Sequence, residues 1–268
     1  MSLNFPKFVQ RLLAILTYTV IYLPIVIIAI LSVNASARDY VFTGFSLRWY
    51  REIVLDARLL QAIQNTLTIA LLSTTIATCL GTAFAIGIHG LKRNQRIRMM
   101  VLNNVPIVNP DIVTGISLLL VFSLLPISFG MPTMLLAHIF FSIPFVVLSV
   151  LPKLKALDPN LFEAALDLGA TKFQAIFRVI VPSIKMGIIA GALIAFTMSI
   201  DDFVISYFVY GNGYQNVSIW IYSRLGRRTF SPAVYAYNTL VVLITMIILF
   251  IFNQFNRKNK KLKGDRIT

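Results

Sequence analysis

The chain has 268 residues, of which 57% are hydrophobic and 13% charged, and 24 Lys and Arg stand against 10 Asp and Glu for a net charge of +14. Mean hydropathy is +0.80. Soluble domains carry about 25% charged residues, so this composition excludes a water-soluble enzyme and a disordered chain, and it points to a polytopic membrane protein with basic loops. One cysteine, Cys79, excludes a disulfide framework and a thiolate metal site within the chain.

A bilayer core about 30 Å thick takes roughly 20 apolar residues in a helix. Six stretches meet that length: Leu12–Val33, Ala62–Ile88, Met99–Leu125, Pro132–Leu151, Met186–Tyr210 and Ala233–Phe252. Helix is expected throughout, since open strands leave backbone groups unpaired in lipid. The fold class is therefore an all-α polytopic membrane protein with six transmembrane helices. The first stretch, after Lys7 and Arg11, is too long for the apolar core of a cleaved leader and is expected to be a span.

Seventeen Lys and Arg fall on the N-terminus, the second-to-third and fourth-to-fifth loops and the tail, against seven on the other side (Arg38, Arg48, Arg51, Arg58, Arg224, Arg227 and Arg228). That bias predicts both termini in the cytoplasm. Three regions are expected: 1–57, the first helix and an outer interfacial segment with Trp49 and Tyr50; 58–256, a five-helix core; and 257–268, a basic cytoplasmic tail that serves as topology signal and surface anchor. The Asn-x-Ser matches at Asn34 and Asn216 are read as chance.

Residues 153–185 are too patterned for a plain connector. Phe162, Ala165, Leu166, Gly169, Phe173, Ile176, Phe177 and Ile180 recur at spacings of three and four, the signature of an amphipathic helix. Asn160 with Glu163, and Thr171 with Gln174, predict two helix starts; Gly169 predicts a left-handed stop between them, and Pro182 closes the segment. On pattern alone, a helix lying on the membrane surface explains the segment equally well.

Carboxylates inside spans form the second signal, because each costs roughly 2.5–3.5 kcal/mol to place there. Asp111 lies about 18 Å into the third span and Asp201 about 22 Å into the fifth, at 1.5 Å per residue. The third span is irregular, with Asn103, Asn104, Pro106, Asn109 and Pro110 around Asp111. In the fifth, Gly187, Gly191, Ala195 and Ser199 form a small-residue stripe that Asp202 continues, and Asp201 points about 100° away. Hydrogen bonding between helices or capping of a broken helix accounts for such residues as well as a transport path does. A path so lined favours a cationic solute, with Trp49, Phe203, Tyr207 and Phe208 as aromatic candidates, each of which, taken singly, also fits an interfacial belt. His89 and His138 are isolated, with His138 read as a packed or pore-adjacent residue, and neither a metal site nor a nucleophile–base pair is indicated. The chain lacks a Gly-x4-Gly-Lys-Ser/Thr phosphate loop, so it is not expected to be an enzyme.

The sequence Glu163-Ala164-Ala165, three residues, Gly169, nine residues, Val179-Ile180-Val181-Pro182 resembles the EAA loop of binding-protein-dependent ABC importer permeases, with Val179 and Val181 replacing Ile and Leu. Asn109-Pro110-Asp111-Ile112-Val113, Ser199-Ile200-Asp201-Asp202-Phe203-Val204, Phe45-Ser46-Leu47-Arg48-Trp49-Tyr50 and Ser142-Ile143-Pro144-Phe145-Val146-Val147 are similar to segments of the spermidine/putrescine permeases of that family. The resemblance implies a type I importer permease fold in a bacterial inner membrane. It further implies a second permease of similar fold, two ATPase subunits that hold ATP and Mg, and an extracytoplasmic polyamine-binding protein, with no nucleic acid and no cofactor on this chain. It also implies that residues 158–182, through Glu163, Ala164, Ala165 and Gly169, couple to the ATPase, and that Asp111, Asp201, Asp202 and Trp49 contact polyamine. An importer for another solute, such as an amino acid, thiamine, iron or phosphonate, and an ATP-independent channel or carrier are the competing readings.

Overall fold

The computed structural model describes residues 6–36, 41–211, 213–224 and 232–264, with side chains beyond Ile247 described only at Phe250. Arg38, Arg227, Arg228 and Arg266, and the side chains of the basic tail, fall outside that description.

Helices carry the fold. In chain order they are α1 (Lys7–Ser32), α2 (Arg48–Leu55), α3 (Ala57–His89), α4 (Arg93–Val108), α5 (Asp111–Ser123), α6 (Met131–Lys155), α7 (Leu161–Asp167), α8 (Lys172–Ala175), a π turn (Ile176–Ile180), α9 (Val181–Ser183), α10 (Lys185–Asp201), α11 (Val204–Val209), α12 (Val217–Tyr222) and α13 (Ala233–Gly264). Among the described residues α1, α3 and α6 are long and apolar enough to cross a membrane singly.

The other three expected spans differ. The third is two helices, α4 and α5, bent by 101°. Pro110 cannot donate an intrahelical hydrogen bond, and Asn109 before it takes an extended conformation (φ −75°, ψ 132°). The fifth does not run through to Tyr210: α10 stops at Asp201, and α11 starts anew at Val204. Before it, the Lys172–Ser183 segment meets α10 at 71°, turning at Ile184 beyond Pro182. The sixth lies in α13, whose described apolar part is Ala233–Ile247.

The chain divides into two units, 1–60 with 224–268, and 61–223. In the first, α1 and α2 both pack on α13. The connection after α1 is organised by Asn34, whose amide donates to the Val41 carbonyl at 2.8 Å and whose Oδ1 accepts from Thr43 N–H at 3.0 Å. Asp56 caps the start of α3, accepting from the N–H groups of Arg58 and Leu59 at 2.9 and 3.1 Å.

In the second unit α6 is the central helix, and Val146 lies at its tightest point. A Cβ on Gly81 of α3 would stand 2.8 Å from Val146 Cβ, and one on Gly191 of α10 would stand 3.1 Å from Val146 Cα. Gly187 approaches Lys153 and Ser149 in the same way. The stripe Gly187, Gly191, Ala195 and Ser199 is buried, as its four-residue spacing predicts. These small residues let helix backbones approach closely where the surrounding lipid offers no hydrophobic drive. Near one end of α6 its Val150 and Leu154 cluster with Ile88 and Ile184, and near the other its Met134 and Ala137 cluster with Ile69, Phe122, Ile205 and Ile219. On the flank, α11 packs along α5, where Phe208 sits on Gly115.

Candidate functional site: a bent coupling loop and a broken fifth span

The loop after α6 folds as helix, glycine stop, helix. Gly169 has φ +85°, with open space where a Cβ would stand, so it is the backbone conformation and not crowding that requires glycine. Its N–H donates to the Leu166 carbonyl at 2.9 Å, and the N–H of Ala170 donates to Ala165 at 3.1 Å, closing α7 in the manner of a left-handed cap. The second helix begins with a capping box: Thr171 Oγ1 accepts from Gln174 N–H at 3.3 Å, and Gln174 Oε1 accepts from Thr171 N–H at 2.9 Å. The expected Asn160 cap is not made. Asn160 is itself helical (φ −82°, ψ −9°), its side chain caps nothing, and its own N–H donates to Asp158 Oδ1 at 2.9 Å.

The apolar ridge divides between two surfaces. Ala165, Ala175 and Ile180 are buried, whereas Phe173 is 70% exposed with its ring 4.3 Å from that of Phe177. Leu168, which periodicity did not single out, is 90% exposed. Between α7 and the second helix lies an open recess of about 420 Å³ floored by Ala164, Ala165 and Gly169 and edged by Gln174 and Arg178. Glu163 and Ala164, on α7, are exposed. The π turn adds a residue to the helical circuit between Phe173 and Pro182, a feature that often marks functional segments.

The second feature is the break after α10. The Asp202 carboxylate accepts from the N–H groups of Ser206 at 2.7 Å and Ile205 at 3.4 Å, so it closes the first turn of α11. Its Oδ2 also lies 3.6 Å from His138 Nε2. His138, fully buried on α6, places Nδ1 2.6 Å from Ser199 Oγ and Nε2 2.9 Å from Ser206 Oγ, and so links α10 to α11 across the break. Ser199 Oγ in turn lies 3.2 Å from Ser73 Oγ on α3. Asn216 completes the set: its amide donates to the Asp202 carbonyl at 2.9 Å and to Ser206 Oγ at 3.0 Å, and its Oδ1 accepts from Ile219 N–H at the start of α12. A buried amide and imidazole thus satisfy backbone and hydroxyl groups that a helix interruption inside lipid would leave unpaired. Neither His138 nor Asn216 was given this role from sequence. Their partners around the break lie 10 to 68 residues away, so no local pattern could reveal that link; only the bond from Ile219 N–H to Asn216, at the start of α12, is local.

The four acidic and aromatic candidates therefore separate. Asp111, the first residue of α5, and Asp201, the last of α10, are exposed, and neither has an ion-pair partner among the described residues. Asp202 turns inward to the network, its side chain 10% exposed. Trp49 is 3% exposed, its indole N–H donates to the Asn34 carbonyl at 2.5 Å, and Arg48 lies over its ring at 4.9 Å. Its polar atom and one face are thus engaged within the segment between α1 and α3 in the first unit. Asn34 and Asn216 are both buried with their amides engaged, which agrees with reading their Asn-x-Ser matches as chance.

Comparison with known proteins places this architecture. The chain is 36% identical over 229 residues to the spermidine/putrescine transport system permease protein PotC of Escherichia coli K12, covering 85% of this chain and 86% of that relative. It is also 36% identical over 237 residues to the putrescine transport system permease protein PotI of the same organism, covering 85% and 83%. Among solved structures, a bacterial alginate ABC transporter in complex with an alginate pentasaccharide-bound periplasmic protein superposes with a TM-score of 0.68 at 18% identity, over 91% of this chain and 92% of that one. An amino acid ABC transporter with histidines gives 0.54 at 19% identity, over 77% and 97%. Residues 77–261, which include the bent loop and the broken span, match the family described as binding-protein-dependent transport system inner membrane component, and the chain belongs to that family of ABC importer permeases.

Proposed function

We propose that this permease conducts polyamines, with two ATPase subunits, ATP and Mg on the partner side, a second permease of similar fold, and an extracytoplasmic binding protein that delivers the solute. The observation that carries the solute class is the pair of exposed carboxylates Asp111 and Asp201, at the start of α5 and the end of α10, which have no ion-pair partner among the described residues. A carboxylate exposed on a span does not face lipid; it faces a cavity or a partner, and there it attracts ammonium groups. Relatives named for spermidine and putrescine transport support the same reading. Asp111 and Asp201 are the residues we assign to contact. Asp202 and Trp49 are assigned to shaping the break and the outer segment.

Coupling falls to the loop of α7 and α8. The adjoining exposed rings of Phe173 and Phe177 form an apolar knob, with Leu168 exposed at the end of α7 and Glu163 exposed on that helix, suited to a groove on a separate subunit. Closure of the ATPase pair then moves the loop, and the π turn and the bend at Ile184 pass that motion to α10. Both termini are assigned to the cytoplasm by the charge bias. The test is uptake of labelled spermidine by cells carrying the complete importer and no other polyamine transporter. Uptake that requires ATP and is competed by unlabelled putrescine supports the proposal. Uptake competed instead by an amino acid or phosphonate, or indifferent to ATP depletion, overturns it.

A further inference from the structure

Around α11 lies a feature with no part in the network just described. Phe203, Tyr207, Phe208 and Tyr222 form a continuous strip of ring contacts. Phe208 meets Tyr207 edge-on at 5.7 Å between centroids, Tyr207 lies 5.5 Å from Phe203, and Tyr222 closes the strip at 4.8 Å from Phe203 and 5.4 Å from Tyr207. One end rests on α5: Phe208 is seated on Gly115, one helical turn after Asp111. The other end begins two residues after Asp201. The strip therefore joins the two helix ends that carry the exposed carboxylates.

Its middle is open. Tyr207 is 39% and Tyr222 48% exposed, and neither hydroxyl has a hydrogen-bond partner among the described residues. Core aromatics would be covered, and lipid-facing ones would not stand beside an exposed carboxylate. Inward, the adjacent Ile205, Ser206 and Val209 are buried, so the rings cannot retreat into the bundle.

We propose that this strip is the seat of an alkyl polyammonium ion, with Tyr207 and Tyr222 presenting ring faces to its cationic centres. The inference rests on the polyamine reading above and names the surface that executes it. A chain of methylenes with an ammonium at each end has the matching chemistry. The ammonium groups pair with Asp111 and Asp201, the methylenes lie along the rings, and an inner ammonium gains attraction from a ring face. Two ring-to-ring steps of 5.7 and 5.5 Å span the strip, comparable to the separation of amines joined by three or four methylenes.

The test measures initial rates of labelled spermidine uptake by the complete importer carrying Tyr207→Leu, Tyr222→Leu or Tyr207→Phe, with assembly followed by co-purification of the partner subunits. The proposal predicts at least a tenfold fall for each Leu variant in an assembled complex, and recovery of at least a third of the lost rate when Phe stands at 207, since the ring is restored without the hydroxyl. Assembled Leu variants with wild-type uptake overturn the strip while leaving polyamine transport intact. Equal loss for Leu and Phe at 207 also overturns it, because the hydroxyl would then be the working group. Should Tyr207→Leu fail to assemble, Tyr222→Leu decides by the same criterion. Wild-type importer that takes up no polyamine removes both this inference and the reading beneath it.

Discussion

His138 Nε2 lies 2.9 Å from Ser206 Oγ, a hydrogen bond that ties α6 to the first turn after the break in the fifth span. The imidazole meets Ser199 on the near side of that break and Ser206 on the far side, so one side chain fixes both. Replacing it by Leu keeps much of the volume and removes one partner from each of two buried hydroxyls, leaving Ser199 with Ser73 alone and Ser206 with Asn216 alone. His138→Leu is expected to destabilise the protein by about 1–2 kcal/mol, within the range for interhelical hydrogen bonds in membranes. Thermal unfolding of the detergent-solubilised protein reads this as a lower midpoint, and an unchanged midpoint argues against the link.

Neighbouring carboxylates are predicted to fail in different ways. Asp201→Asn removes an exposed charge and is expected to lower spermidine uptake at least tenfold with no change in melting. Asp202→Asn weakens the acceptor for Ser206 and Ile205 N–H and is expected to lower the melting temperature. Uptake and melting measured on both variants settle the division; a lower midpoint for Asp201→Asn with wild-type uptake would reverse it.

At the tight point of α6, added volume has nowhere to go. Gly191→Val sets new methyl groups against Val146 from α10, and Gly81→Val does the same from α3. Each is expected to cost about 1–3 kcal/mol, the usual range for overpacking. Loss of folded protein in a detergent stability assay is the readout. Gly87→Val, where a Cβ meets nothing within 4 Å, is the matched control for Gly81→Val on α3.

Gly169 separates backbone from surface effects. Gly169→Ala meets no atoms but must hold φ near +85°, at a cost of roughly 1–2 kcal/mol for an L residue. Gly169→Asn, a residue that tolerates this region better, is expected to lose less. Co-purification of the ATPase subunits is therefore predicted to rank glycine over asparagine over alanine. An Ala variant that binds as well as wild type would show that the stop is not needed for docking.

Local signals in the sequence carried over to the structure, and distant ones did not. The Thr171–Gln174 box, the left-handed Gly169 and the buried stripe from Gly187 to Ser199 each depend on residues within a turn or two, so spacing alone exposes them. Asn160 marks the start of α7, which begins at Leu161, but its side chain makes no cap hydrogen bond, and Asp158 accepts its N–H where Glu163 was expected to. The bend between α4 and α5 was announced by Asn109-Pro110, though its 101° was not. The end of α10 at Asp201 had only one sequence signal, a carboxylate able to cap a broken helix, which Asp202 does; the apolar run continues through Tyr210, and the interruption is further stabilised by His138 and Asn216 from other elements. Periodicity placed Phe173 and Ile180 on one face; tertiary packing sent Ile180 inward and left Phe173 outside. Of the four residues first grouped as solute contacts, the exposure of Asp111 and Asp201 and the burial of Asp202 and Trp49 depend on the packed helices and not on composition.

Coupling through the exposed knob of the loop after α6 is the claim on which the rest depends. Its most direct measurement is ATP-dependent spermidine uptake into proteoliposomes holding the complete importer, comparing wild type with Phe173→Glu, which places a charge on the 70% exposed ring position without touching the bundle core. The account predicts loss of both uptake and bound ATPase in the variant, with the permease still folded. Wild-type uptake by Phe173→Glu with the ATPase still bound would contradict it.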